Sequence, residues 1–336
     1  MSGPGVGFEY PPQSVSWLKR DVLLFANSIG ATADELHFLY ELHPNFAVFP
    51  TYPVILRKWP IAVIPLTDRL DLVCVRADKL GETAFKGDTQ EVIDFYAAQK
   101  KIKVPGVPDF DSRRVVDGQR KIEFLKPLPV SSEGHKFEIR QKVLGVYDKG
   151  RPGSVVDTQL ELVDANTNEV YTRLFGSAFY VGQGNWGGPK GPATENFPPP
   201  KDKKPDWVLE NQISREAAHL YRLNGDYNPL HATPEPGVKM GFPGAIMHGL
   251  YSWNSTAHAI LKAVGGSDPA NLKEYQARFA SPVLPGDKLI TQVWRTGEKK
   301  GEFEEVRFVV AVEGGKVCLS NGRALVNILG DIKGKL

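Results

Sequence analysis

The residues best suited to chemistry in this 336-residue chain stand in one short segment, Asn224-Gly225-Asp226-Tyr227-Asn228-Pro229-Leu230-His231. A carboxylate and an imidazole that face one water can respectively take and give a proton, which is general acid–base catalysis. Asp226 and His231 are therefore the candidate pair, and Asn228 is a candidate to orient the water or a substrate by hydrogen bonding. Gly225 can end a preceding helix, and Pro229 pushes Asn228 out of the α region. The segment is thus expected to be an irregular loop that turns all three side chains toward one point, as a continuous helix could not. Taken singly, Asp226 and Asn228 would be turn formers and His231 a satisfied core or surface histidine. The three together carry more weight as a site than as a turn.

A second feature is Met247-His248-Gly249, placed by its pattern in the first turn of a long apolar helix. Backbone N–H groups there have no intrahelical acceptor. Gly249 has no side chain, so a carbonyl oxygen could approach its N–H and feel the positive end of the helix. An oxyanion developing on a thioester carbonyl is what such a donor stabilises. The plainer reading of this glycine is a packing device.

These residues need elements to hold them. Ser214 can cap a helix whose apolar stripe is Ala217, Leu220, Tyr221 and Leu223, ending near Asn224-Gly225. The longer helix is expected to begin around Gly244, to carry Ile246, Leu250, Trp253, Ala257, Ile260, Leu261 and Val264, and to stop at Gly265-Gly266. Strand-like runs follow at 276–283, 287–295, 304–313 and 316–328, with Val306, Phe308, Val310 and Val312 alternating as one buried face. One long helix followed by consecutive strands predicts an α+β domain with the helix packed on a curved sheet. Residues 182–206, rich in Gly, Pro and Lys, read as a linker between two halves. The first half repeats the plan loosely: RDVLLFANSIGA answers REAAHLYRLNGDY, KIEFLKPLPV answers QARFASPVLP, and EVYTRLFGSAFYV answers GKVCLSNGRALVNI. Duplication of one domain is the natural reading, with residues 60–118 as a loop-rich insertion.

The composition excludes several function classes. Forty-one Lys and Arg against 39 Asp and Glu leave a net charge of +2, which gives no electrostatic reason to expect nucleic acid or a membrane surface as partner. Cys74 and Cys318 stand far apart, so neither a disulfide scaffold nor a structural zinc site is expected. No apolar run of membrane-spanning length occurs, and the first residues lack a signal-peptide core. The tripeptide Gly334-Lys335-Leu336 is similar to a peroxisomal Ser-Lys-Leu signal with Gly in its first position, so the peroxisome is the expected address and the cytoplasm the alternative.

Together the two motifs resemble the hydratase 2 family, the MaoC-like double hot-dog enoyl-CoA hydratases found in peroxisomal multifunctional enzymes. The family pattern Tyr-x-Leu-x-Gly-Asp-x-Asn-Pro-Leu-His stands here as residues Tyr221 to His231, and GFPGAIMHGL at 241–250 is similar to the family's Gly-Phe…Pro-Ile-Leu-His-Gly-Leu. Thinner similarity runs through both halves, at FLKPLP (124–129), Asp148-Lys149-Gly150 and Ala277-Arg278-Phe279. The resemblance implies two tandem hot-dog domains, each a curved antiparallel sheet wrapped on a long central helix. Residues 1–181 would be a degenerate half that accommodates the acyl and CoA moieties, and 207–336 the catalytic half. It implies reversible hydration of a trans-2-enoyl-CoA to the (3R)-3-hydroxyacyl-CoA, with Asp226 and His231 catalytic and Asn228 in the same site. Gly249, with His248 beside it, would bind the thioester oxygen, and Gly118, Lys149 and Phe279 would line the CoA and acyl site. No metal or redox cofactor is implied. The partner is an acyl-CoA substrate, and a homodimer is left open.

The sequence departs from the family in places. Asp117 precedes Gly118 where relatives often have His, and His231-Ala232-Thr233-Pro234 replaces the common His-Ile-Asp-Pro. The first-half segment matching the catalytic loop reads Ile29-Gly30-Ala31-Thr32-Ala33-Asp34-Glu35, with no His-Gly after it, so one active site per chain is expected. The competing readings are another hot-dog reaction, such as thioester hydrolysis or dehydration of a specialised acyl or polyketide thioester, and a non-catalytic acyl-binding subunit. A metal site built from Asp226, His231 and His248 is the remaining alternative.

Overall fold

Ten antiparallel strands form one sheet in the order β1-β3-β4-β5-β2-β7-β10-β9-β8-β6 in the computed structural model, which describes residues 3–56, 102–111 and 114–329. The strands are β1 (Gln13–Ser14), β2 (Val115–Phe124), β3 (Phe137–Asp148), β4 (Gly153–Asp164), β5 (Glu169–Val181), β6 (Trp207–Gln212), β7 (Leu272–Phe279), β8 (Lys288–Lys300), β9 (Phe303–Val312) and β10 (Val317–Val326). The five strands of the first half and the five of the second follow the same order, read inward from each edge. The repeated segments KIEFLKPLPV and QARFASPVLP supply β2 and β7, and these two strands pair with each other where the halves meet. Across that seam Ile122 faces Tyr275, both fully buried, so one apolar core runs through both halves.

The helices of the first half are α1 (Lys19–Ser28), α2 (Leu36–Leu39) and α3 (Pro53–Leu56). Those of the second are α4 (Ala217–Tyr221), α5 (Pro234–Lys239) and α6 (Gly249–Gly265). Helix α6 packs against β6, β7 and β10. Trp253, Ala257, Ile260 and Leu261 are completely buried, and the polar Ser252, Asn254, Ser255 and Thr256 are buried as well. A helix covered on nearly every side must lie inside the curve of the sheet. Its polar residues need partners there: Asn254 donates to the Tyr221 hydroxyl at 2.9 Å, and the Tyr275 hydroxyl donates to the Trp253 carbonyl at 2.9 Å. Gly266, at φ +64°, ends the helix as the Gly-Gly pair predicts.

Several boundaries differ from the sequence reading. Helix α6 starts at Gly249, five residues after Gly244, because Ile246 and Met247 are held extended by bonds to the Leu230 and Val283 carbonyls. Strand β7 covers Leu272–Phe279 and stops short of 283; Pro282 and Pro285 follow it and cannot donate to a ladder. The Ser214 helix is short and continues as a 3-10 turn over Arg222–Asn224, which leaves Leu220 and Leu223 exposed. Residues 182–206 contain no helix or strand, yet they are tied to the sheet. Asp148 accepts from the Asn185 and Gly187 N–H groups, and Trp294 donates to the Lys203 carbonyl. Of the segment 60–118 read as an insertion, residues 60–101 and 112–113 lie outside the described residues, and Val115–Gly118 belong to β2. The C-terminal tripeptide also lies outside them.

The degenerate loop of the first half packs on the far part of α6. Glu35, 2% exposed, holds His258 Nε2 at 2.9 and 3.0 Å, accepts from Ser267 Oγ at 2.6 Å and from the Thr32 N–H at 3.1 Å, and pairs with Lys262 at 3.2 Å. Burial would raise its pKa, but these bonds outweigh burial and hold the carboxyl well below the ordinary value. A depressed carboxylate stabilises the fold above its unfolded pKa and loses that contribution as the pH falls. Glu35→Ala should cost about 3–5 kcal/mol at neutral pH, as removal of one member of a buried pair does. The gap between variant and wild type should narrow as the pH is lowered from 4.5. Urea midpoints over that range read both effects, and a pH-independent gap would contradict them.

Candidate active site

The catalytic-loop candidates are shaped by main-chain hydrogen bonds. Gly225, at φ +112°, ends the 3-10 turn in the left-handed region that favours glycine. Asp226 Oδ1 then accepts from the Asn228 N–H at 3.2 Å, and Asn228 Oδ1 accepts from the Leu230 N–H at 3.1 Å. With Pro229 in first position, this makes Pro229–His231 a capped 3-10 turn that swings His231 back beside Asp226. Asn228 thus spends its side-chain oxygen on the turn.

His231 is 9% exposed and His248 is 2% exposed. Their rings stack with centroids 3.8 Å apart and planes at 30°. One oxygen of Asp226 and one ring nitrogen of each histidine lie within 4.8 Å of one another, with Asp226 the most solvent-facing of the three. His231 Nδ1 lies 2.9 Å from the Ile246 carbonyl, and His248 Nε2 lies 3.1 Å from the Asp226 carbonyl. A carbonyl only accepts, so each of these nitrogens carries the proton. His231 Nε2 is left with a lone pair. Burial pushes the His231 pKa below the ordinary value, against the upward pull of Asp226. Burial and the neighbouring His231 push His248 well below it.

The sequence reading has the imidazole give the proton; in this tautomer His231 Nε2 carries a lone pair, which suits it to accept one. His248 lies behind the pair, where its Nε2–H braces the Asp226 main chain. Gly249, exposed, is the first residue of α6, and a Cβ there would stand 3.2 Å from the Phe279 ring. The structure therefore brings together Asp226, Asn228, His231, His248, Gly249 and Phe279. Gly118 sits at a bulge of β2, next to Gln119, which pairs with Arg278, so it stands at the Phe279 end of the seam. Lys149 lies between β3 and β4, where its Nζ donates to the Lys190 carbonyl at 2.5 Å and lies 5.3 Å from the centre of the Tyr147 ring.

Sequence reasoning missed the Ile246 carbonyl, which sets the tautomer, and it read Tyr221 as part of an apolar stripe. Tyr221 is buried 5.2 Å, ring to ring, from His248 and 5.6 Å from Tyr251. Its place at the head of the Tyr-x-Leu-x-Gly-Asp pattern is the signal that marks it. The three-residue cluster is poorly disposed for a metal. Zinc needs unprotonated nitrogen donors ~2 Å away and converging, whereas one ring nitrogen of each histidine is already turned to a main-chain carbonyl.

Comparison with known proteins places this geometry. The pattern of the MaoC like domain matches residues 196–315, and that of the MFE-2 hydratase 2 N-terminal domain matches residues 16–73. The chain is 47% identical to a probable dehydratase, NIT22, of Ajellomyces capsulatus, over 95% of this chain and 81% of that one. The chain belongs to the MaoC-like hydratase 2 family. Within this family it is 27% identical to a probable enoyl-CoA hydratase 2 of Dictyostelium discoideum, over 96% of this chain and 95% of that one. A crystal structure of a MaoC-like dehydratase from Phytophthora capsici superposes with a TM-score of 0.73 at 27% identity, covering 96% of this chain and 97% of that one. The fold of this MaoC-like chain is the double hot-dog, as the α+β reading anticipated.

A base held neutral by burial has a pH signature. Any reaction that uses His231 Nε2 as base should run at full rate through neutral pH and fall only below 6.5, the ordinary histidine value, because a lowered pKa keeps the lone pair available to lower pH. A kcat/KM profile with its acidic limb above 6.5 would contradict the assignment.

Proposed function

We propose that this chain is a hydro-lyase that reversibly hydrates trans-2-enoyl-CoA to (3R)-3-hydroxyacyl-CoA. The observation that carries the reading is the His231 Nε2 lone pair beside Asp226, at the end of α6 where the Gly249 N–H opens the helix. A water between Asp226 and His231 gives a proton to Nε2 as its oxygen bonds to C3 of the substrate. The double-bond electrons move onto the thioester as an enolate, whose oxyanion meets the Gly249 N–H and the positive helix end. The enolate then takes one proton at C2 from the imidazolium, with the Asp226 carboxylate holding both partners in line. Water is thereby divided into the C3 hydroxyl and the C2 hydrogen, and both residues return to their starting charge. Neither oxidant nor reductant enters the balance.

The relatives support the substrate class: besides the Dictyostelium protein they include a peroxisomal enoyl-CoA hydratase 2 of Arabidopsis thaliana. That relative supports the peroxisome as the address. Gly118, Phe279 and Lys149 are assigned to the CoA and acyl channel, with Lys149 released from Lys190 to meet phosphate. One active site per chain follows from Glu35, whose carboxylate is spent on His258 and Ser267. The exposed β6 edge is where a homodimer could extend the sheet.

Asp226→Asn and His231→Ala should each lower turnover of a trans-2-enoyl-CoA by roughly 10²-fold or more with the fold intact, since each removes a proton-handling group. Either variant keeping near wild-type turnover would refute the mechanism. Chiral chromatography of the product should show the (3R) alcohol; mainly (3S) product, or free CoA from thioester hydrolysis, would reject the reading.

A further inference from the structure

Arg120 is a charged residue in an apolar setting. On β2 it lies two positions before the fully buried Ile122 and therefore on the same, core-facing side of the sheet. Its neighbours across the ladders are Gly176 on β5 and Ala277 on β7. The side chain is 13% exposed. Its guanidinium lies over Gly176, where an added Cβ would stand 2.9 Å from Nη1, so the missing side chain is what makes room for it. Nη2 donates to Asp117 at 2.6 Å. Nε is buried and has no acceptor among the described residues. A buried donor left unpaired carries its full desolvation penalty, and a guanidinium is built to fill two donors at once with one oxygen-bearing group.

The position of Arg120 says what that group belongs to. Ala277, its partner on β7, is two residues from Phe279 on the same face, and the Phe279 ring lies against Gly249. Arg120 thus stands roughly one strand repeat, about 7 Å, deeper along the seam than Phe279, and its side chain reaches away from the catalytic half toward β5. A thioester whose carbonyl oxygen is at Gly249 and whose CoA leaves toward solvent would pass its acyl chain along this side of the seam. Resting on the hydratase reading above, we propose that Arg120 is a specificity-determining residue that takes an oxygen acceptor carried on the acyl chain beyond the reacting double bond, a carboxylate being its strongest form. Asp117 holds the guanidinium in place and tempers its charge while the site is empty.

The test uses the purified full-length protein and two trans-2-enoyl-CoA esters of equal, medium acyl length, one ending in methyl and one in carboxylate. The same two acyl groups are also offered as pantetheine thioesters, which lack the CoA phosphates. The wild type should favour the carboxylate ester on both carriers. In Arg120→Gln the ratio of kcat/KM, carboxylate over methyl, should fall roughly tenfold or more, the scale of a charge-assisted bond. Gly176→Ala keeps the arginine but displaces it, and should lower the same ratio, so the proposal does not depend on the fold tolerating loss of the buried charge. An unchanged ratio in both variants overturns it. So does a loss that is equal for the two acyl groups and absent with pantetheine, because that marks a phosphate contact. If the wild type hydrates neither ester, the hydratase reading itself fails; hydration of both with an unmoved ratio removes the role of Arg120 alone.

Discussion

Each half of this protein is a five-stranded sheet whose last strand in spatial order has an unpaired edge until it meets the other half. The β2–β7 ladder removes both edges at once, and the remainder of the architecture depends on it. Unpaired main-chain groups beside an apolar core are costly and adhesive, so neither half has a satisfactory alternative. Ile122 and Tyr275 sit opposite each other on that ladder with no solvent exposure, and so the pairing also joins the two cores. The Phe279 end of the same ladder delivers a ring to Gly249, which limits the space in front of the first turn of α6.

The active-site loop is rigid for a different reason. Its polar groups are committed to main-chain partners: Asp226 to Asn228, Asn228 to Leu230, His231 to Ile246 and His248 to Asp226. Such bonds fix side-chain direction and tautomer without recruiting further charge, and they leave a lone pair on His231 Nε2 and another on the buried His248 Nδ1. The apolar burial of both histidines then keeps them neutral.

The reach of the sequence differed from feature to feature. The loop 224–231 could be read because glycine and proline restrict the backbone locally and thereby announce an irregular segment. Helix α6 and the alternation of β9 were legible from periodicity, and the repeat was legible from matching segments. The start of α6 was misplaced because residues 246–247 have helix-compatible side chains but take long-range main-chain bonds. The proton position on His231 depends on a carbonyl 15 residues away, and carbonyls leave no mark in a sequence. Arg120 carries no signal in the sequence, because only the register of β2 against β5 and β7 tells which face it occupies.

The loop around Glu35 answers the segment 224–231 in the internal repeat, and both meet α6, one at its beginning and the other along its far half. A single helix is therefore held at two places by segments that match each other in the repeat, one through His248 and the Asp226 main chain, the other through a buried carboxylate. What the Glu35 segment supplies to the helix is an electrostatic fit, a carboxylate that meets His258, Ser267 and Lys262. The first half in this way anchors the helix whose opening turn carries the candidate site of the second.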